Sequence, residues 1–503
     1  MNGCDRRPHP TQEIQLSEDN SKTTYGNRKV IGSLLWKLLE QGASQGILFV
    51  VSVILARLLS PEEYGTISLI TIFITIAGVF VQSGLSSALI QGKDITDDDC
   101  SSVLWTVVLI SAALYLVLFL AAPAVAGFYE MPVLSGLLRL TALCLFPAGA
   151  VSVQSARLTR NMEFRRLFAA TSIAVIISGG TAIAIAAAGY GPWAMGWQQV
   201  IYYLVLMFAS YAVFPWRPRF RIVSGRLKPL FSFGWKLLAA GLLDAVWSSV
   251  YGLIIGKRWT ASDLGGFTKG EQFPKLISAN LSSAVSAVML PVLSGLQDDR
   301  KALGEKAAES IELSAFIVSP LMFGLIAAAE PVTSAVLTDK WLFIVPYLRL
   351  FCLIYLLYPV NSVNLAVLTA AGRTDLFLIL EICKKILGLA VLIISLKTTD
   401  SIVIMLLYKC GVEAADCVIN ALPVGRLTGY GPLRQLRDMI PSLLCSGVMC
   451  ISVIMLNSAL KGCASAWTAL AVLIPAGAAV YTVMTLLFNK KMIRRLKDVI
   501  HRR

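Results

Sequence analysis

The chain of 503 residues has only two histidines, His9 and His501, and both fall in polar stretches at its ends. Imidazole acid–base catalysis, a Ser-His-Asp arrangement and most zinc sites are therefore excluded from its apolar body. None of the ten cysteines forms a CxxC pair. Most, such as Cys144, Cys383 and Cys445, sit inside apolar runs and read as small buried hydrophobes. Charge is scarce as well, with Asp, Glu, Lys and Arg making up 15% of the residues against about 25% in soluble chains. A soluble chain of this length would split into several domains, each with its own charged surface. There is too little charge to cover one, so a soluble multidomain enzyme is excluded.

What is abundant is hydrocarbon: 56% of the residues are hydrophobic and the mean hydropathy is +0.71. A bilayer core needs about 20 apolar residues per helix. Such runs recur at roughly 32–59, 66–90, 101–126, 133–154, 168–189, 193–214, 230–256, 273–296, 311–338, 343–370, 375–396, 401–424, 438–458 and 465–488, with ends uncertain by about two to four residues. The expected fold class is an all-α polytopic membrane protein of about 14 transmembrane helices. The longest loop expected between them, 257–272, is too short for a catalytic domain. A membrane glycosyltransferase or polymerase is correspondingly disfavoured. Residues 1–30 lack an apolar segment and read as a disordered cytosolic tail, and 489–503 as a basic one.

The net charge of +14 does not point to nucleic acid, because Lys and Arg gather in short loops between apolar runs. With both ends inside, 29 of the 44 basic residues fall on the inner side and 8 on the outer, the rest lying within spans. The outer set includes Arg57, Lys269 and Lys275. This asymmetry places both termini in the cytoplasm.

A duplication is legible by eye. Trp36-Lys37-Leu38-Leu39 with Gly42 recurs as Trp235-Lys236-Leu237-Leu238 with Gly241. Glu63-Tyr64-Gly65 is matched by Asp263-Leu264-Gly265, and Leu85-Ser86-Ser87-Ala88 by Leu281-Ser282-Ser283-Ala284. Six runs separate the copies, so the repeat is parallel. Two pseudo-symmetric six-helix lobes around a central cavity follow, at 31–214 and 230–424, with 215–229 as a basic cytoplasmic linker and hinge. Helices 13 and 14, at 425–488, stand outside the repeat.

Charges inside the hydrocarbon need a reason, since each costs about 2.5–3.5 kcal/mol at the bilayer centre. Lys37, Glu40 and Lys236 lie near span ends and can snorkel; Arg139 and Arg349 are similarly shallow. Asp244 falls mid-span, as do Glu381, Lys384 and Lys385 in the eleventh run and Lys409, Glu413 and Asp416 in the twelfth. The last three recur at i, i+4 and i+7, on one helix face. Two readings stand. The charges neutralise one another within the bundle, or they line a cavity where lysines meet an anionic headgroup and carboxylates bind a coupling proton or sodium. Asn361, Asn364, Gln198 and Gln199 either meet sugar hydroxyls or bond a neighbouring helix, the second being favoured.

The stretch from Leu55 to Gly65, LARLLSPEEYG, resembles the end of the first span in Wzx-type polysaccharide flippases of the MOP superfamily, the O-antigen, colanic acid and teichuronic acid exporters. So do Gly84-Leu85-Ser86-Ser87-Ala88-Leu89-Ile90-Gln91, Arg160-Asn161-Met162-Glu163-Phe164-Arg165 and Pro291-Val292-Leu293-Ser294-Gly295-Leu296-Gln297. The resemblance implies a flippase that carries undecaprenyl-pyrophosphate-linked oligosaccharide across the bacterial cytoplasmic membrane by alternating access. It needs no cofactor beyond a proton or sodium gradient, and its neighbours would be membrane lipids, a polysaccharide polymerase and glycosyltransferases. Only Arg57 matches a family cation by position. The headgroup set expected from the residues is Lys384, Lys385, Lys409, Arg57, Asn361 and Asn364; the ion-coupling set is Asp244, Glu381, Glu413 and Asp416. A multidrug exporter of the same superfamily is the alternative, with cavity carboxylates binding cationic drugs.

Overall fold

The computed structural model describes residues 27–493, apart from 83, 93–94, 215, 217, 221–222, 298, 462–464 and 490. Both histidines and most of the two expected tails lie outside the described residues. Among the described residues the backbone is helical almost throughout and contains no strand. Hydrocarbon leaves a chain little else, because every backbone N–H and C=O must find its partner within the segment.

The first half comprises α1 (Asn27–Leu58), α2 (Pro61–Gln82), α3 (Gly84–Gln91), α4 (Asp97–Tyr129), α5 (Val133–Ala142), α6 (Leu145–Arg160), α7 (Phe164–Ala187) and α8 (Trp193–Val213). The second holds α9 (Ser224–Arg258), α10 (Ala261–Ser294), α11 (Arg300–Ala327) and the single turn α12 (Ala329–Val332). After a π turn and a 3-10 segment follow α13 (Val345–Leu356), α14 (Tyr358–Ala370), α15 (Thr374–Thr398) and α16 (Ile402–Thr428). Two further helices, α17 (Pro432–Leu460) and α18 (Ala466–Phe488), follow.

Nine helical stretches of the described residues are long and apolar enough to cross a membrane. Their outer faces carry large exposed hydrophobics, such as Leu116 and Leu120 in α4, Ile451 and Met455 in α17, and Ile474 and Phe488 in α18. Small polar groups sit inside instead: Ser111, Ser178, Ser210, Ser319 and Ser446 are completely buried. Apolar side chains outside and hydroxyls inside is the pattern of a protein solvated by lipid. The chain is an integral membrane protein. Helices α10, α15 and α16 fall outside the nine, and these three carry much of the interior charge.

The expected loop at 257–272 does not exist. Helix α9 runs to Arg258 and α10 begins at Ala261, leaving a two-residue link. Polar residues such as Lys269, Glu271 and Gln272 imitate a loop in the sequence, yet all three are helical, and Lys269 is 1% exposed. Lys269 and Lys275 therefore do not belong among loop cations. The connection expected at 215–229 is also shorter, since α9 starts at Ser224 and carries Pro229 inside it. Its described part is strapped down rather than loose. Trp216 is buried under the Arg157 guanidinium at 4.6 Å, and Phe220 stacks on Trp105 at 4.4 Å.

The repeat has a local physical basis. Helix α2 is opened by a reciprocal pair in which Ser60 N donates to Glu63 Oε2 at 2.7 Å and Glu63 N to Ser60 Oγ at 3.2 Å. Helix α10 opens the same way through Thr260 and Asp263, at 3.2 and 3.1 Å. Both are capping boxes, which satisfy amides left free at a helix start. Contacts between helices recur in step as well. Arg139 donates to the Phe119 carbonyl and Arg349 to the Ile326 carbonyl, each at 3.3 Å. Arg57 donates to the Val336 carbonyl at 2.8 Å, and Lys257 to the Phe128 carbonyl at 2.6 Å. Helix α2 packs extensively on α10, and α3 on α9. Helix α17 lies along α11, where Ser446 Oγ donates to Ser319 Oγ at 2.8 Å.

Candidate functional site

Interior charge concentrates in the second half. On α15, Lys384 Nζ donates to Glu381 at 2.5 Å, one turn away. Lys385 reaches across to the carboxylate of Asp244 on α9. The lysine side chains are 11% and 17% exposed, whereas Asp244 is 74% exposed. The pairs therefore stand at the edge of the packed interior, facing open space on the Asp244 side.

On α16, Lys409 sits in an aromatic cage, with its ammonium 4.5 Å from the Tyr251 ring, 5.5 Å from Phe351 and 6.0 Å from Phe267. Three rings from α9, α10 and α13 thus surround the partly buried cation. Glu413 lies one turn on from Lys409 along α16. Asp416 completes the stripe, and its Oδ1 is buried without a hydrogen-bond partner.

Glu271 of α10 belongs to the same cluster and was not singled out in the sequence. Tyr355 Oη donates to it at 2.6 Å, and Lys275 lies at 3.8 Å. The signal that hid it is the polarity of its surroundings, which reads as loop. Five carboxylates (Asp244, Glu271, Glu381, Glu413, Asp416) thus face four ammonium groups (Lys275, Lys384, Lys385, Lys409). With every group counted as ionised, the formal excess is one negative charge. Such a cluster can take up one small cation or proton, or release lysines toward an anion once a pair opens. Among the described residues no group of three His, Cys, Asp or Glu side chains is arranged to hold a metal ion.

The other expected site residues lie apart from this cluster. Arg57 is spent on the carbonyls of Ala335 and Val336, at the far end of α1. Asn364 is completely buried and exchanges two hydrogen bonds with Gln435 of α17, at 3.0 and 2.8 Å. Asn361 accepts from Asn420 of α16 at 3.1 Å. Both asparagines are hydrogen-bonded to neighbouring helices.

A further interior cation went unrecognised. Lys269 donates to Ser52 Oγ at 2.6 Å, to Gln272 Oε1 at 2.9 Å and to the Ser52 carbonyl at 3.1 Å, with its ammonium 4.1 Å from the Tyr64 ring. It binds α10 to α1 and α2 without a carboxylate.

Residues 54–346 match the family model described as "Polysaccharide biosynthesis protein". The chain is 26% identical over 495 residues to the succinoglycan biosynthesis transport protein ExoT of Rhizobium meliloti (strain 1021), covering 95% of this chain and 97% of that one. It is 21% identical over 372 residues to the lipopolysaccharide biosynthesis protein WzxC of Escherichia coli (strain K12), covering 73% and 75%. A third relative is the teichuronic acid biosynthesis protein TuaB of Bacillus subtilis (strain 168), 25% identical over 311 residues, or 60% and 62% of the two chains. Among solved structures, the lipid II flippase MurJ in an inward closed conformation aligns with a TM-score of 0.74 at 18% identity, covering 92% of this chain and all of that one. An inward-facing multidrug resistance transporter of the MATE family aligns at 0.56 and 15% identity, covering 81% and 95%. The fold is the one these two solved structures share, and the chain belongs to the polysaccharide biosynthesis protein family.

Proposed function

We propose that this protein is a flippase, not an enzyme, which carries undecaprenyl-pyrophosphate-linked oligosaccharide from the inner to the outer leaflet of a bacterial cytoplasmic membrane. The observation that carries the reading is a cluster of paired lysines and carboxylates inside a lipid-solvated helical bundle whose relatives are named for polysaccharide biosynthesis and transport. A diphosphate bearing sugars cannot cross hydrocarbon uncovered, because each unpaired polar group there is costly. Lysines released from their carboxylates offset its charge while the polyprenyl tail stays in lipid.

Fourteen helices cross the membrane in this reading, twelve of them as two six-helix lobes. The recurring capping boxes and the paired arginine contacts support it. Both termini lie in the cytoplasm, in keeping with the excess of Lys and Arg on that side. Closing one end of the bundle while opening the other moves the headgroup, driven by a proton or sodium ion at the uncompensated carboxylate. A polymerase and glycosyltransferases are the natural partners, supplying and consuming the lipid-linked sugar; nucleic acid is not one. The multidrug exporter is the second reading, and the weaker fold similarity of the MATE transporter disfavours it.

A deletion strain separates the two. The flippase reading expects loss of surface polysaccharide, accumulation of lipid-linked repeat units and unchanged drug resistance. Intact polysaccharide together with drug sensitivity supports the exporter.

A further inference from the structure

Among the residues whose side chains are described, the first half carries less mid-span charge than the second, yet it holds a pocket with a polar lining of its own. A cavity of about 260 Å³ opens among α2, α6 and α8, and its polar lining is Thr75, Gln82, Gln199 and Tyr203. No Asp, Glu, Lys or Arg lines it. Gln82 Nε2 donates only a long bond, 3.4 Å, to Tyr203 Oη. Gln199 makes no hydrogen bond to any described residue, so the helix-to-helix role favoured from the sequence does not engage it.

Thr75 and Gln82 are exposed at the opening and Gln199 and Tyr203 are half-buried, so their amides and hydroxyls are available to an uncharged ligand rich in hydrogen-bonding groups. Two carboxamides offer four donors and four acceptor lone pairs, and Tyr203 adds a hydroxyl with a flat apolar face. That complement suits vicinal hydroxyls on a ring. It does not suit a pyrophosphate, for which no cation is present. The pocket is smaller than the roughly 300–1,000 Å³ of a drug-sized site, which limits it to a sugar unit or two. Its wall α2 packs on α5 and α6 and also on α9 and α10, so the pocket lies against the helix shared by both halves.

We infer that this pocket is a saccharide subsite, in which Gln82, Gln199 and Tyr203 bind hydroxyls of the sugar nearest the lipid while the second half handles the charged phosphates. The inference rests on the flippase reading and divides the headgroup between the two halves.

Binding to the full-length protein in nanodiscs tests it, with two probes: undecaprenyl pyrophosphate, and the same lipid carrying the repeat unit extracted from the source strain. The wild type should bind the saccharide lipid at least tenfold more tightly. The Gln82→Leu/Gln199→Leu double variant should bring the two affinities within about twofold by weakening only the saccharide lipid, the size expected for two lost hydrogen bonds. If the double variant does not accumulate, Gln82→Ala and Gln199→Ala singly should each lose about threefold. A saccharide preference that survives these variants, or that the wild type never shows, overturns the subsite and leaves the flippase reading standing. Failure of the wild type to bind either lipid overturns the flippase reading itself.

Discussion

Gly65 and Gly265, the same position in the two copies of the repeat, press against each other where α2 crosses α10. A side-chain carbon on Gly65 would lie 1.7 Å from the Ala261 carbonyl oxygen, and one on Gly265 would lie 2.3 Å from that of Pro61. Backbone meets backbone at this crossing, and no rotamer change can relieve a clash there. Lys269 lies one turn further along α10 and bonds Ser52 of α1, so the crossing and the buried lysine fasten the same junction.

Substituting valine at Gly65 or Gly265 should therefore force the two helices apart. The expected cost is at least the roughly 1–3 kcal/mol of an overpacked core. Thermal unfolding of the purified variants checks it, with a clear drop in Tm for either one. Alanine at Gly180, where a side-chain carbon meets nothing within 4 Å, should leave Tm close to that of the wild type.

The central lysines should be needed for export and not merely for folding. Replacing Lys384 and Lys385 with alanine should abolish surface polysaccharide while the protein still accumulates in the membrane. The exchange Asp244→Lys with Lys385→Asp keeps an ion pair between α9 and α15 but moves the ammonium to the other helix. Assays of surface polymer should find the exchanged variant inactive; full export by it would reduce the pair to a structural tie.

Asn364 and Gln435 should behave as a structural couple. Asn364→Ala leaves a buried carboxamide without its partner, at an expected cost of about 1–3 kcal/mol. Replacing both residues with leucine removes the orphaned group and should recover most of that loss. A double-mutant cycle on Tm measures the coupling, and it should also report how firmly α17 is held to α14.

Arg57→Ala should weaken the bundle without touching headgroup recognition. The guanidinium is exposed and bonded to main-chain carbonyls, which limits the expected loss to about 1 kcal/mol. A modest fall in Tm with unchanged affinity for undecaprenyl pyrophosphate is the expected result. A loss of affinity would bring Arg57 into the binding site despite its distance from the central cluster.

Much of this architecture was legible because lipid imposes a strong pattern. Apolar runs become helices. Lys384, Lys385, Lys409 and the carboxylates near them were found for the same reason, since a charge in hydrocarbon stands out. Lys269 and Glu271 were lost among polar neighbours that resemble a loop, and only packing reveals that α10 starts before them. Partners across helices were likewise beyond periodicity. Nothing local to Asn364 announces Gln435, and nothing near Lys385 announces Asp244. The polar pocket around Gln199 was half legible, because its amide was visible in the sequence while Gln82 and Tyr203 join it only in three dimensions.

The most direct measurement is transbilayer movement in proteoliposomes containing only the purified protein and the lipid-linked repeat unit, with a membrane-impermeant glycosidase or lectin reporting which leaflet holds the sugar. The protein should make the inner-leaflet half of the substrate accessible within minutes, and the Lys384→Ala/Lys385→Ala variant should leave it protected as in empty vesicles. Wild-type vesicles that protect the substrate as well as empty ones do, under a proton or a sodium gradient alike, would contradict the account.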